Sequence, residues 1–186
     1  MRNPLMLDLV GKDAMQMPDT ISNQIVLCKD FMAKQAFIKK FITQNRHLKI
    51  IIFCETKAEV KRYERHRYAR FGCLHGDLEQ NQRQRILREF RFPDSDMILV
   101  ATDVAARGLD IDNIDVVLQQ SVINVDSFVH RTGRTGRAGK TGRNIVMHQM
   151  DESTNLNFFK KIEDSLKCNF KYTNMIVNEE TSAESN

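Results

Sequence analysis

The sequence predicts an α/β domain, a parallel sheet with helices on both faces and right-handed crossovers. Three observations lead there. Short, nearly continuous apolar runs, such as residues 49–53 and 97–100, look like strands buried on both faces. Between such runs lie segments with helical spacing, for example Phe31, Ile38, Phe41 and Ile42 with Lys34, Lys39 and Lys40 among them. The most polar words of the chain fall directly after strands, where open parallel sheets bind their ligands.

Length and composition set the frame. A chain of 186 residues, 41% hydrophobic and 28% charged, is long enough for one domain with a real core and has the balance of a soluble protein. No run of eighteen apolar residues suggests a membrane span, and the N-terminus lacks the apolar core of a signal peptide. The net charge of +4 permits a polyanionic partner without demanding one. Cys28, Cys54, Cys73 and Cys168 form no CxxC pair, so they read as buried, reduced thiols of an intracellular protein.

Taken in order, residues 1–20 contain Pro4 and Pro18 and no clear period, and read as a linker entering the domain from a longer protein. The domain itself is expected over residues 21–177. Strand 21–28 precedes a helix running from 31 to about 45, then strand 49–53. Thr56 can cap the next helix, with Glu59 three residues on completing a capping box. Strand 68–74 ends in Leu74-His-Gly-Asp77, and a helix over 79–90 turns Ile86, Leu87 and Phe90 inward. Strand 97–101, strand 116–119, a helix over 126–134 and strand 144–148 follow. A helix over 154–166 carries Leu156, Phe159, Ile162 and Leu166 at helical spacing, and residues 170–172 can add an edge strand. From 178 to 186 the tail is polar and reads as disordered. In a parallel sheet, the turns after Phe53, Leu74, Ala101 and Ser121 should share one edge.

Two words on those turns carry the chemistry, Ala101-Thr-Asp-Val-Ala-Ala-Arg-Gly-Leu-Asp110 and His130-Arg-Thr-Gly-Arg-Thr-Gly-Arg137. In the second, Arg134 and Arg137 are three apart, so on a helix they would share a face. Paired guanidinium forks suit phosphate oxygens. The plainer reading is a solvated basic loop or a glycine-arginine tract. Gly139-Lys140-Thr141 imitates the end of a phosphate loop, but the required glycine five residues earlier is Arg134, and a strand follows instead of a helix. Nor does an Asp-Glu metal box follow any strand. Arginines for phosphate without a cradle are what a finger supplied across an interface looks like. Lys61, Arg62, Arg65, His66, Arg67 and Arg70 read first as a solvated helix face, with an auxiliary patch for a polyanion as the alternative. The phenylalanines read as core, not as a stacking platform.

From about Leu7 to Tyr172 the sequence resembles the second, C-terminal RecA-like domain of the DEAD-box RNA helicases. The resemblance rests on Phe53-Cys-Glu-Thr56, on His75-Gly-Asp with Gln80-x-x-Arg83, and on the two long words above, in that order. It implies a RecA-like parallel sheet, with residues 1–20 leading from a missing N-terminal helicase domain. It further implies Arg134 and Arg137 as catalytic fingers on ATP, and Gly108 and Asp110 beside the nucleotide. ATP and Mg2+ would be held mainly by the missing domain. By the same resemblance Thr56, Gly76, Arg83 and Thr102 would bind the RNA backbone, single-stranded or opened from a duplex. Asp103, Arg107 and His130 would couple the two domains. A helix or turn cap for Asp110, a helix cap for Thr56, a core role for His130 and a surface role for Arg107 stand beside these roles. No metal site is expected on this chain.

The wording of Asp8-Leu-Val-Gly-Lys12, Ile51-Ile-Phe-Cys-Glu-Thr-Lys57 and Arg134-Thr-Gly-Arg-Ala-Gly-Lys-Thr-Gly142 is similar to the nucleolar RNA helicase II (Gu) group. That implies a nuclear or nucleolar location. Many relatives carry asparagine where Glu55 stands, which leaves RNA contact at position 55 open.

Overall fold

The computed structural model describes residues 17–109, 111, 113–150 and 156–175. Among them, β1 (Ile21–Cys28), β2 (Ile50–Cys54), β3 (Arg70–Leu74), β4 (Met97–Thr102), β5 (Val116–Gln119), β6 (Gly142–Gln149) and β7 (Phe170–Met175) form one parallel sheet. Its order is β3-β4-β2-β5-β6-β1-β7. The helices are α1 (Phe31–Gln44), α2 (Lys57–Tyr63), α3 (Gln80–Arg91), α4 (Asp103–Ala106), α5 (Val125–Thr132) and α6 (Asn157–Leu166).

Every residue of β2, Ile-Ile-Ile-Phe-Cys, is buried, because β4 and β5 flank it and helices cover both faces. Strand alternation assigns those faces. Ile52, Cys54, Val100 and Leu118 pack with Ile38, Phe41 and Ile42 of α1 and with Val60 and Tyr63 of α2. Ile51, Phe53, Leu99 and Val117 pack with Leu87 and Phe90 of α3 and Ala105 and Ala106 of α4. Farther along that second face, Ile25 and Val146 meet Phe128 of α5 and Phe159, Ile162 and Leu166 of α6. Thus α1 and α2 cover one face, and α3 to α6 the other. A fully buried Ile or Phe side chain contributes about 1.5–3 kcal/mol. An exposed ion pair contributes roughly 0–1 kcal/mol. These clusters, not the surface pairs, hold the sheet.

Most expected elements are present, with ends moved by a residue or two. β7 extends to Met175, beyond the expected 172, because its backbone pairs with β1 up to Cys28. The last helix is described from Asn157, and its expected start at 154 lies outside the described residues. The tail from 178 also lies outside them. On the linker side, Met17 is buried against α6, and its N–H bonds Leu166 O at 3.0 Å. α4 was not expected; Thr102 caps this single turn by accepting from the Ala105 N–H at 3.4 Å.

One expectation is corrected. The helix that should have carried Arg134 and Arg137 on one face ends at Thr132. Tertiary structure takes over there: Thr135 bridges to Ile114 and its hydroxyl donates to Ile114 O at 2.5 Å. Arg137 belongs to a separate 3-10 turn, Arg137–Gly139. Between them Gly136 has φ +67°, and a Cβ there would lie 2.4 Å from Ile21 Cγ1. Gly136→Ala should therefore cost roughly 2–4 kcal/mol, from left-handed strain plus overpacking. A lower urea midpoint at unchanged slope would show it; an unchanged midpoint would mean that Ile21 yields freely.

Candidate functional site

The strand register places the chemical words together. Leu74 pairs with Ala101, Cys54 with Thr102 and Phe53 with Gln119. The turns that leave β3, β4, β2 and β5 consequently stand side by side, in that order, at the carboxyl edge of the sheet.

Three of these turns, with the start of α3, carry one group of expected site residues. Thr56 is exposed and does cap α2, accepting from the Glu59 N–H at 3.2 Å. Glu59 Oε2 accepts in return from the N–H groups of Glu55 at 2.8 Å and Thr56 at 3.1 Å, completing the box. Gly76 is exposed, with open space where a side chain would stand. Arg83 is half-buried on α3, and its Nε is buried with no hydrogen-bond partner among the described residues. Thr102 has its hydroxyl engaged in the α4 cap described above.

A polar clasp fixes the turn at Gly76. His75 is buried, and its Nδ1 accepts from the Asp77 N–H at 3.3 Å. In a neutral ring, Nε2 then carries the hydrogen toward Glu64 Oε1, 3.3 Å away. Asp77 binds Lys57 Nζ at 2.9 Å and Lys61 Nζ at 2.8 Å, tying this turn to α2. Hydrogen bonds from Lys61 and Lys57 hold the Asp77 carboxyl down to about 2. Its contribution to stability is therefore complete above the unfolded value near ~3.9 and disappears as pH falls toward 2. In a carboxyl-carbon NMR titration, Lys57→Ala with Lys61→Ala should return Asp77 to the ordinary range. An unmoved midpoint would refute the clasp.

The basic cluster is shared out. Lys61 serves Asp77, Arg62 lies 5.3 Å over the Phe31 ring, Arg67 donates to Glu64 O, and Arg70 pairs with Glu89. These side chains turn to separate partners, and His66 packs among the rings of Tyr63, Tyr68 and Phe71.

The second group is organised by a residue that sequence reasoning missed. Arg131 is 1% exposed, and its Nε and Nη2 donate to Asp103 Oδ1 at 2.6 Å and Oδ2 at 2.8 Å, fork on fork. Its Nη1 donates to Ser121 O at 2.5 Å and reaches Gln119 Oε1 at 3.5 Å. Its guanidinium lies 5.4 Å over the Phe53 ring. One side chain thus joins the ends of β2, β4 and β5 to α5. The missed signal was spacing: Arg131 is three residues after buried Phe128 and beside buried Thr132, on the inward stripe of its helix. Behind it, Gln119 Nε2 donates to Asn144 Oδ1 at 2.8 Å, and Asn144 Nδ2 to Asn23 Oδ1 at 2.9 Å.

Around this strut, His130 is exposed on α5, which corrects its alternative reading as a core residue. Arg107 is exposed where α4 ends, and Gly108 follows with φ +70° and open space around it. Only glycine holds that backbone without strain. Arg134 is half-buried, and its Nη1 donates to Leu109 O at 3.1 Å, which brings the arginine loop against the turn after α4. Arg137 is exposed, with Nε donating to Gly133 O at 2.7 Å. Asp110 lies outside the described residues.

Gly139-Lys140-Thr141 leads into β6, and Lys140 Nζ binds Asn113 Oδ1 at 3.1 Å, so no phosphate cradle forms there. Among the described residues, no three His, Cys, Asp or Glu side chains gather as a metal site. Burial pushes the thiols of Cys28, Cys54 and Cys73 up, the last to about 12, in keeping with packing instead of reactivity. No helix of the described residues is long and apolar enough to cross a membrane.

The parallel sheet with helices on both faces matches the RecA-like C-terminal domains of solved DEAD-box proteins, among them that of Dbp5 with a TM-score of 0.70 at 26% identity. Residues 33–139, more than half of the chain, match the helicase conserved C-terminal domain. The chain belongs to that family, and within it to the DEAD-box type. It is 40% identical to DEAD-box ATP-dependent RNA helicase 9 of Oryza sativa subsp. japonica over 174 residues, covering 91% of this chain and 27% of that protein. With the human ATP-dependent RNA helicase DDX50 it shares 39% over 160 residues, 83% of this chain and 21% of the relative. The S. cerevisiae Dbp5 structure bound to RNA and ADP BeF3 superposes with a TM-score of 0.71 at 26% identity, covering 84% of this chain and 42% of that one. The chain spans about a quarter of the length of these curated relatives.

Proposed function

We propose that this chain is the C-terminal half of an ATP-dependent RNA helicase, opening short RNA duplexes or remodelling RNA-protein complexes together with an N-terminal RecA-like domain. The observation that carries this reading is the Arg134–Leu109 contact. It sets the arginine loop against the Gly108 turn, on the same edge as Thr56, Gly76 and Thr102. ATP bound to the first domain would meet Arg134 and Arg137 when the two halves close, with Gly108 and Asp110 beside the nucleotide. Mg2+ would come with that ATP on the first domain.

RNA would lie on the other turns of the edge. The Thr56 and Thr102 hydroxyls, backbone at Gly76 and the Arg83 guanidinium position a sugar-phosphate chain without reading bases. Sequence preference is then weak and salt dependence marked. Thr56 and Thr102 serve as caps and contacts together, because an oxygen that accepts from an N–H still has its own O–H to donate. His130 and Arg107, both exposed, would face the first domain. Asp103 would act from within, since both of its oxygens hold Arg131. The wording shared with the Gu group, and the likeness to DDX50, support a place in that group and a nuclear or nucleolar setting.

The test is ATP hydrolysis by this chain joined to its own upstream half, with and without RNA, beside the chain alone. Turnover that needs both halves and rises with RNA supports the reading. Turnover by the chain alone, or none that answers to RNA, sinks it.

A further inference from the structure

The side chain of Glu55 is exposed and stands where a polyanion is expected to run. We propose that Glu55 is a specificity-determining residue, whose carboxylate accepts a hydrogen bond from a donor on the bound strand, the ribose 2′-hydroxyl or an exocyclic base amine. This rests on the RNA-binding reading above and extends it by one position.

Geometry gives the place. Along the edge, the turns carrying Gly76, Thr102 and Thr56 follow one another on β3, β4 and β2, and the next strand is β5. Glu55 reaches toward that next turn, its Oε2 accepting from Ser121 Oγ at 3.3 Å. A strand tracking over Gly76, Thr102 and Thr56 therefore arrives at Glu55.

The turn that carries the carboxylate is fixed at both ends of its contact with Ser121. The Glu55 backbone N–H donates to Glu59 Oε2 at 2.8 Å. The Gln120-Ser121 segment to which it is tied is gripped by two buried cations on consecutive carbonyls. Lys34 of α1 donates to Gln120 O at 2.6 Å, and Arg131 of α5 to Ser121 O at 2.5 Å. α1 and α5 lie on opposite faces of the sheet, so the segment is clamped from both sides. Glu55 Oε1 keeps no hydrogen-bond partner among the described residues.

The chemistry then follows. A carboxylate accepts and cannot donate, so it repels phosphate and binds only donors. An unpaired strand offers the 2′-hydroxyl of ribose, the amino groups of adenine, cytosine and guanine, and the ring N–H of guanine and uracil; the last is shared by oligouridine and oligodeoxyuridine, so comparing those two strands isolates the 2′-hydroxyl. An amide at this position could serve phosphate and hydroxyl alike. A carboxylate selects. The plainer role is a counter-charge for Lys34: burial pulls its ammonium below the usual lysine range, and Glu59 and Glu55 are among the groups that oppose that shift.

The test is binding of fluorescent oligonucleotides by the full-length protein containing this chain, as wild type, Glu55→Ala and Glu55→Gln. Oligouridine and oligodeoxyuridine lack exocyclic amines and differ only at the 2′ position. If the 2′-hydroxyl is the donor, wild type prefers the ribose strand, and Glu55→Ala reduces that preference about 10-fold or more. Glu55→Gln should gain affinity for the deoxy strand. If a base amine is the donor, the preference of wild type for oligocytidine over oligouridine collapses instead. The proposal is overturned if Glu55→Ala leaves both ratios unchanged, whether affinity rises for every strand or only the urea midpoint falls. A wild-type protein that binds no RNA removes the RNA reading itself, and this one with it.

Discussion

Arg134→Ala is expected to reduce RNA-stimulated ATP turnover by about 10³–10⁵-fold, while RNA affinity stays within a few-fold of wild type. That loss corresponds to roughly 4–7 kcal/mol of transition-state stabilisation. The magnitude follows from chemistry: a planar guanidinium can give paired hydrogen bonds to the oxygens on which phosphoryl charge builds, and alanine gives none. Arg134 Nη1 donates to Leu109 O at 3.1 Å, which ties the guanidinium to the turn after α4. Arg134→Lys keeps the charge but loses the fork, and should recover only part of the rate. Single-turnover hydrolysis with saturating RNA measures the effect free of product release. Arg134 is half-buried, so an unfolding midpoint close to wild type separates lost chemistry from lost structure. Turnover indifferent to this substitution would reduce the domain to an RNA-docking module with helicase wording.

How much of this was legible in the sequence differs from element to element. Strands 21–28 and 116–119 fall where expected, each bounded by polar residues, Asp19-Thr20 and Lys29-Asp30 around the first, Asp115 and Gln120-Ser121 around the second. The shared edge was legible as well, since parallel strands must release their turns on one side. The four-residue helix α4 was not, because a single turn has no periodicity to read, only the cap at Thr102. The common helix face of Arg134 and Arg137 failed for a tertiary reason. Thr135 finds its partner in Ile114, twenty-one residues earlier, and no local preference announces that pairing. Arg131 was hidden by its own word: among four basic residues in His130–Arg137, charge reads as surface, and only its spacing from Phe128 points inward.

Arg131 is where breaking the fold and breaking the mechanism should coincide. Arg131→Met, similar in length and apolar, is expected to lower stability by about 3–4 kcal/mol. Removing one partner of a buried pair strands the other charge. Here it would also deprive Ser121 O of its donor. The lower end of the usual range applies because the Asp103 side chain is 23% exposed and water can reach it. Urea unfolding at constant slope measures the loss. A double-mutant cycle with Asp103→Asn should return at least 1 kcal/mol of coupling, since the neutral amide leaves no stranded charge. Arg131→Lys keeps the charge, but one ammonium cannot span two carboxylate oxygens and a carbonyl in the turn after β5, so it should fall between. The same loosening reaches both ends of the proposed site: Ser121 anchors Glu55, and α5 feeds into Arg134. Turnover should then fall even at denaturant-free stability sufficient to keep the domain folded. A cycle with no coupling would show Arg131 and Asp103 to be neighbours without a shared task, and the strut between the strand ends would have to be sought elsewhere.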